Sequence, residues 1–154
     1  MSILETRRQT WPNEAACAAS AAALARHAAL RDAFIELHGT LGSGKTTFVR
    51  HLLHALGVQG RVKSPTYAVM EPYELPGGAI RHFDFYRFND PQEWEDAGFR
   101  DVFAAPGLKL AEWPEKAEGL LPQPDLRIHI EPVGDTLREV SFSACTPLGL
   151  GLLP

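Results

Sequence analysis

The segment from Gly39 to Thr46 follows the pattern G-x-x-x-x-G-K-[ST], which is typical of a loop that binds phosphate groups. Its glycines allow backbone angles that are costly for other residues, so successive N–H groups can turn inward around a phosphate chain. In such a loop Lys45 reaches the β- and γ-phosphates, and the hydroxyl of Thr46 binds Mg²⁺. The predicted nucleotide contacts are Gly39, Thr40, Leu41, Gly42, Ser43, Gly44, Lys45, Thr46 and Thr47.

The residues on either side of this loop have the periodicity that it requires. The apolar run from Ala33 to His38 predicts a strand entering the loop, and apolar residues at helical spacing after Thr47 predict a helix leaving it. The start of that helix adds a favourable dipole for phosphate. A glycine-rich turn without a ligand is the alternative, but this context favours nucleotide binding.

A phosphate-binding loop also needs a carboxylate to hold or organise Mg²⁺ and a group that orients the attacking water. Asp84 lies in a strand-like segment between aromatic residues, and Glu112 ends an apolar strand. The ends of strands in open α/β sheets meet the ligand crevice, which makes Glu112 a candidate by position. Two alternatives stay open: Asp84 as a solvent-facing acid paired with Arg81 or Arg87, and Glu112 as a surface acid.

The segment with Ser64 and Thr66 on either side of a proline has two interpretations. The two hydroxyls could form a switch that senses the γ-phosphate, or they could belong to a turn before a strand, which is commoner. Arg87 could likewise neutralise phosphate charge or pair with a nearby acid. Trp113 is by default a packing residue.

Alternating strands and helices must position these side chains. Asn13 is expected to cap the first helix, and Gly57 to end the helix that follows the loop. With the phosphate-binding loop, the elements predict an α/β fold of the P-loop NTPase type: a three-layer sandwich with a central mixed sheet flanked by helices. The predicted strands are Ser2 to Thr10, Ala33 to His38, Tyr67 to Tyr73, Ala79 to Tyr86, Leu108 to Trp113, Leu126 to Glu131 and Leu137 to Phe142. The predicted helices are Asn13 to about Leu30, the helix ending at Gly57, Pro91 to Ala97 and Phe99 to Ala104.

The composition predicts one globular domain over residues 1–154, with a tail from about residue 146 that we expect to be frayed. The formal net charge of −4 gives no general attraction to nucleic acid or to an anionic membrane. Cys17 and Cys145 lack metal-ligand spacing, and the chain shows neither a signal-peptide pattern nor a run long enough to span a bilayer. We therefore expect a cytoplasmic protein without a membrane partner.

Four ordered motifs resemble the TsaE (YjeE) family. Besides the phosphate-binding loop, they are Val62 to Tyr67, His82 to Arg87 and Glu112 to Pro122. The resemblance implies a bacterial ATPase that works with two partners, TsaB and TsaD, to form threonylcarbamoyladenosine in tRNA. It implies regulation or resetting of the partner complex, with slow ATP hydrolysis by the protein alone, and contact with tRNA only through the partners.

The same resemblance implies roles for individual residues. Lys45 would hold ATP, Thr46 and Glu112 would contact Mg²⁺, and Asp84 would support hydrolysis, so Lys45, Asp84 and Glu112 are the expected catalytic residues. Ser64 and Thr66 match a switch-like segment. The resemblance also implies that the nucleotide is contacted by Trp113, Glu115 and Trp11.

Trp11 departs from the aliphatic residue of many family members. Its ring could stack on adenine or pack under the first helix. Two other functions stay open for the whole chain: a nucleotide-gated assembly module in which hydrolysis is incidental, and a small-molecule P-loop kinase.

Overall fold

The computed structural model describes residues 2–154 as strands and helices in alternation. The strands are β1 (Glu5–Trp11), β2 (Phe34–His38), β3 (Met70–Leu75), β4 (Gly78–Asp84), β5 (Leu108–Glu112), β6 (Leu126–Val133) and β7 (Leu137–Ala144). The helices are α1 (Glu14–Ala25), α2 (Lys45–Leu56), α3 (Pro91–Asp96), α4 (Phe99–Ala104) and α5 (Pro147–Leu150), with 3₁₀ turns at Ala28–Asp32 and Pro114–Ala117.

The strands form one seven-stranded sheet in the order β1-β7-β6-β2-β5-β4-β3. β2 pairs in parallel with β5 and β6, and β4 pairs in parallel with β5. The remaining pairs, β1 with β7, β6 with β7 and β3 with β4, are antiparallel. The sheet is therefore mixed, as predicted. Because β2, β4 and β5 are parallel, the residues that follow each of them meet at one edge of the sheet.

Two separate hydrophobic clusters lie on opposite faces of this sheet. In β2, Phe34 belongs to one cluster and Ile35 to the other, as expected for side chains that alternate between faces. The first cluster joins the sheet to α1 and α2. The second joins it to α3 and α4 through aromatic side chains such as Phe83 and Trp94. A sheet between two helical layers confirms the predicted three-layer α/β fold.

The helix after the phosphate-binding loop begins and ends at glycines with left-handed backbone angles. Gly44 precedes it with φ +112°, and Gly57 follows it with φ +112°, as predicted for the end of this helix. Phe48 and Leu52, one helical turn apart, are buried against the sheet, and this packing fixes the direction of α2 relative to the loop.

Several predicted boundaries are wrong: β1 begins at Glu5 rather than Ser2, and β4 ends at Asp84 rather than Tyr86. Two others have a backbone cause. The strand expected from Tyr67 begins only at Met70, because Val69 has φ +70°, which a strand does not allow. The strand expected to reach Trp113 ends at Glu112, since Trp113 has φ +55°. α1 ends at Ala25 rather than near Leu30, in a stretch where the sequence carries neither glycine nor proline as a stop signal.

The expectation of a frayed tail is also wrong. Thr146 caps α5 by accepting a hydrogen bond from the Gly149 N–H at 3.1 Å, and it donates one to Asp125 at 2.7 Å. Leu152 and Leu153 are buried in the first hydrophobic cluster. The tail thus forms part of the core.

None of the helices within residues 2–154 is long and apolar enough to cross a membrane.

Candidate functional site

The phosphate-binding loop connects β2 to α2 and depends on glycine at defined positions. Gly39, Gly42 and Gly44 all have positive φ, at +150°, +77° and +112°. A Cβ on Gly39 would lie 2.5 Å from the Ile130 carbonyl oxygen and 2.5 Å from the Ser43 Oγ. A larger residue at position 39 would therefore push the loop away from the sheet edge.

Thr46, in the first turn of α2, contacts the carboxylate at the end of β5. Its Oγ1 donates a hydrogen bond to Glu112 Oε1 at 2.7 Å. The other carboxylate oxygen, Oε2, lies 2.7 Å from His82 Nε2 on β4. Glu112 is only 2% exposed, so hydrogen bonds on both oxygens fix its side chain beside the start of α2.

Asp84 ends β4 and holds the segment that contains Ser64 and Thr66. Its Oδ2 accepts hydrogen bonds from the hydroxyls of Ser64 and of Thr66, the latter at 3.1 Å, and its Oδ1 accepts one from the Tyr86 N–H at 2.9 Å. Asp84 is buried, at 4% exposure, which excludes the alternative of a solvent-facing acid. Backbone geometry supports the same contact, because the Asp84 N–H donates to the carbonyl of Val69, the residue with φ +70°.

Lys45 is folded back inside the loop. Its Nζ donates a hydrogen bond to the Gly39 carbonyl and lies 3.6 Å from the centroid of the Trp113 ring. Burial lowers the pKa of Lys45, and the negative charges of Glu112, Glu115 and Asp84 oppose this effect. A buried ammonium whose charge is this poorly solvated gains strongly from an anionic ligand.

Two adjoining cavities open beside the loop. The first, of about 350 Å³, is called the phosphate-side cavity, and the second, of about 280 Å³, is called the outer cavity. The phosphate-side cavity is lined by residues 41–47, Ser64, Thr66, Asp84, Tyr86, Glu112, Trp113 and Arg138. The outer cavity is lined by Trp11, Asn13, Glu14, Cys17, Ser43, Gly44, Thr47, Asp135, Thr136 and Arg138. The shared residues make them two halves of one cleft.

Most residues predicted for the site line this cleft, and the exceptions are Gly39, Thr40 and Glu115. Glu115 is exposed and lines neither cavity. Trp11 is 3% exposed, stacks on Phe48 with ring centroids 5.5 Å apart, and donates from Nε1 to Gln9. Its ring therefore packs against α2, whereas the packing alternative expected the first helix, and Trp11 also lines the outer cavity. Gly39 and Thr40 line neither cavity but shape the loop beneath them.

The donor atoms in the cleft suit Mg²⁺ and a phosphate chain. Thr46, Glu112 and Asp84 supply hard oxygen ligands, which Mg²⁺ prefers. Within residues 2–154 there is no group of three or more His, Cys, Asp or Glu side chains that could hold a metal ion by themselves. A cation bound here would thus share its coordination with phosphate and water, as Mg²⁺ commonly does. The Ser43 Oγ is buried in the loop and has no hydrogen-bond partner within residues 2–154, so it is a further polar atom that a ligand can contact.

Sequence reasoning missed two side chains of this site. His82 was part of a recognised motif, and its place two residues before Asp84 puts both side chains on one face of β4, yet it received no role. Arg138 lies on β7 and donates from Nε to the Ser43 carbonyl at 2.8 Å, so it reaches the loop from a distant strand. No local pattern marks that contact, because it depends on how the sheet is assembled.

Comparison with known proteins identifies a matching family and several relatives. The model of the family described as "Threonylcarbamoyl adenosine biosynthesis protein TsaE" matches residues 11–140. The tRNA threonylcarbamoyladenosine biosynthesis protein TsaE of Haemophilus influenzae is 44% identical over 77% of this chain and 75% of its own. The Bacillus subtilis protein of the same name is 39% identical over 71% of this chain and 68% of its own.

A solved structure resembles the whole fold. The crystal structure of YdiB from Bacillus subtilis superposes with a TM-score of 0.78 at 28% identity, covering 99% of this chain and 94% of that one. The match of the family model to most of the chain, with its phosphate-binding loop and the two strand-end carboxylates, shows that this chain belongs to the TsaE family.

Proposed function

We propose that this protein is an Mg²⁺-dependent ATP hydrolase that acts in the biosynthesis of threonylcarbamoyladenosine in tRNA. Membership of the TsaE family and the names of the relatives support the pathway. The observation that carries the chemistry is the contact between Thr46 and Glu112, which joins the start of α2 to a strand-end carboxylate inside the phosphate-side cavity.

In this proposal the loop binds the triphosphate and Lys45 leaves the Gly39 carbonyl to reach the β- and γ-phosphates. Binding restores the electrostatic stabilisation that burial of the ammonium removes. Arg138 adds a second cation at the wall shared by the two cavities. The outer cavity then takes the nucleoside part of ATP, with Trp11 as an edge of its wall.

Thr46 and Glu112 are the residues that would hold Mg²⁺. When bound, Mg²⁺ neutralises charge that develops on the β- and γ-phosphate oxygens during transfer. The hydroxyl hydrogen of Thr46 already points to Glu112, which leaves the oxygen lone pairs free for a cation.

Asp84 would act on the water that attacks the γ-phosphate. It ends the strand next to Glu112 and lines the phosphate-side cavity, so its carboxylate can orient a water or accept its proton. Ser64 and Thr66, hydrogen-bonded to the same carboxylate, would respond when the γ-phosphate is present or lost.

That last contact also favours the second candidate, a nucleotide-gated assembly module. If occupancy of the cavity moves Ser64 and Thr66, the segment can carry the nucleotide state to a partner. We propose TsaD and TsaB as those partners, working in the cytoplasm, with tRNA contacted only through them. The net charge of −4 supports an indirect contact, since it gives the isolated protein little attraction for RNA.

ATP turnover tests the proposal. The wild type should release phosphate from ATP with Mg²⁺, lose this activity with a chelator, and accelerate when the TsaB–TsaD pair is added. Lys45→Ala should be inactive, whereas Lys116→Ala, at an exposed lysine, should match the wild type. Full turnover by Lys45→Ala would reject the site. Equal partner affinity with ATP and with ADP would reject the assembly module.

A further inference from the structure

His82 is a buried polar side chain that the proposed function does not yet use. It lies on β4, is 0% exposed, and its Nε2 lies 2.7 Å from Glu112 Oε2. Its other ring nitrogen, Nδ1, is buried and has no hydrogen-bond partner within residues 2–154. The ring thus makes one polar contact, and that contact is with the carboxylate beside Thr46.

We propose that His82 is the positioning residue for Glu112, and hence for the Mg²⁺ site. This inference rests on the proposed function, because it assigns His82 a part in holding the metal ligand. The chemistry of the contact gives its direction. An ionised carboxylate can only accept hydrogen bonds, so His82 donates from Nε2.

The two carboxylate oxygens of Glu112 make hydrogen bonds to different partners. Oε2 faces His82 in the interior, and Oε1 faces Thr46 in the phosphate-side cavity. Without the imidazole, Oε2 would be a buried oxygen lacking its donor, and the side chain could rotate to recover one. His82 therefore keeps Oε1 turned toward Thr46 before any cation arrives.

The cost of burying His82 points the same way. A buried nitrogen without a partner is unfavourable, and an apolar side chain of similar volume would fill this space without that penalty. Groups that hydrogen-bond to a metal ligand orient it, and their loss commonly weakens metal affinity. The role of His82 in orienting Glu112 therefore explains why a polar side chain is buried here despite that penalty.

Three substitutions separate the hydrogen bond from simple packing. His82→Gln keeps a nitrogen donor near the position of Nε2, His82→Asn places its amide too close to β4, and His82→Met fills the space without a donor. His129→Leu, at an exposed histidine of β6, is the matched control. Circular dichroism and thermal unfolding first establish which variants are folded.

Two measurements follow on the folded variants. The first is the Mg²⁺ concentration that gives half-maximal ATP turnover, and the second is Mn²⁺ binding to the complex of protein and ADP, measured by electron paramagnetic resonance. We expect His82→Met and His82→Asn to raise the half-maximal Mg²⁺ concentration and to lower the Mn²⁺ affinity, each by about 10- to 100-fold. His82→Gln should recover most of the loss. ADP binding in the presence of a chelator should stay unchanged in all of them.

Two results would overturn the proposal. One is a folded His82→Met or His82→Asn with the metal dependence of the wild type. The other is a folded His82→Gln as impaired as His82→Asn, since the ring's shape would then matter and not its hydrogen bond. Absence of metal-dependent turnover in the wild type would instead reject the proposed function, and Mn²⁺ binding would still test His82.

Discussion

Asp84 and Glu112 are paired in register at the ends of two adjacent parallel strands, β4 and β5. Each carboxylate is almost completely buried, yet the two hold different parts of the chain. Glu112 contacts Thr46 at the start of α2, and Asp84 contacts the segment with Ser64 and Thr66. The pair thus joins the phosphate-binding loop to the candidate switch segment, and the two carboxylates should respond differently to substitution.

Glu112→Gln should chiefly weaken the use of metal. The amide keeps the size of the side chain but removes the negative charge that a divalent cation requires. We expect the Mg²⁺ concentration for half-maximal turnover to rise by at least the roughly 10- to 100-fold that loss of a group supporting a metal ligand costs. Titration of Mg²⁺ at saturating ATP measures this, with Glu131→Gln, an exposed residue of β6, as the control. An unchanged Mg²⁺ requirement would remove Glu112 from the metal site.

Asp84→Asn should chiefly lower the turnover number. The carboxylate is the proposed partner of the attacking water, and losing such a group typically reduces the rate by about 10²- to 10⁴-fold. Turnover at saturating ATP and Mg²⁺ is the measurement, with Asp101→Asn as the exposed control. If the half-saturating Mg²⁺ concentration changed while the turnover number did not, Asp84 would be a metal ligand instead.

Arg138→Ala should weaken ATP binding. Its guanidinium anchors the loop at the Ser43 carbonyl and lines both cavities, so its loss removes a loop contact and a positive charge. Hydrogen bonds to charged groups contribute about 1.5–3 kcal/mol, which corresponds to roughly 10- to 100-fold in affinity. Calorimetric titration with ATP measures it. Arg138→Lys should recover part of the loss, and Arg100→Ala, at an exposed arginine, should bind normally.

Local sequence was sufficient wherever the structure depends on a short segment. Gly39 and Gly44 were predictable because a phosphate-binding loop needs positive φ at defined spacing, and Gly57 because a helix commonly ends at a left-handed residue. Glu112 was predictable from its place at the end of an apolar run. In these cases the physical cause lies within a few residues of the effect.

The remaining features depend on contacts between distant segments. The partner of His82 lies on the next strand of the sheet, and the partner of Arg138 lies in the phosphate-binding loop, so neither follows from spacing. Val69 and Trp113 adopt positive φ although neither is glycine, which no propensity predicts. The residue types of the site could therefore be predicted from the sequence. Its supporting contacts could not, because they form only when the sheet is assembled.

Substitutions of Trp11 distinguish a packing role for its ring from a contact with adenine. The ring stacks on Phe48 and is buried, so Trp11→Ala should lower the free energy of unfolding by about 3–5 kcal/mol. Trp11→Phe keeps an aromatic stack and should bind ATP as the wild type does. Urea unfolding and ATP titration check the two variants. A large loss of ATP affinity in a stable Trp11→Phe would show that the indole contacts adenine.

The tail gives a prediction that separates stability from catalysis. Leu153 is buried in the first hydrophobic cluster, and α5 is held by Thr146, which also contacts Asp125. Leu153→Ala should lower the free energy of unfolding by about 2–5 kcal/mol, the usual cost of emptying a leucine site in a core.

The exposed Leu150 lies in the same tail and provides the matched control, since Leu150→Ala removes a similar side chain without opening a cavity. Urea unfolding measures both, and neither change should alter ATP turnover below the unfolding transition, because the tail lines neither cavity of the site. Equal stability of the two variants would mean that the tail leaves the core in solution.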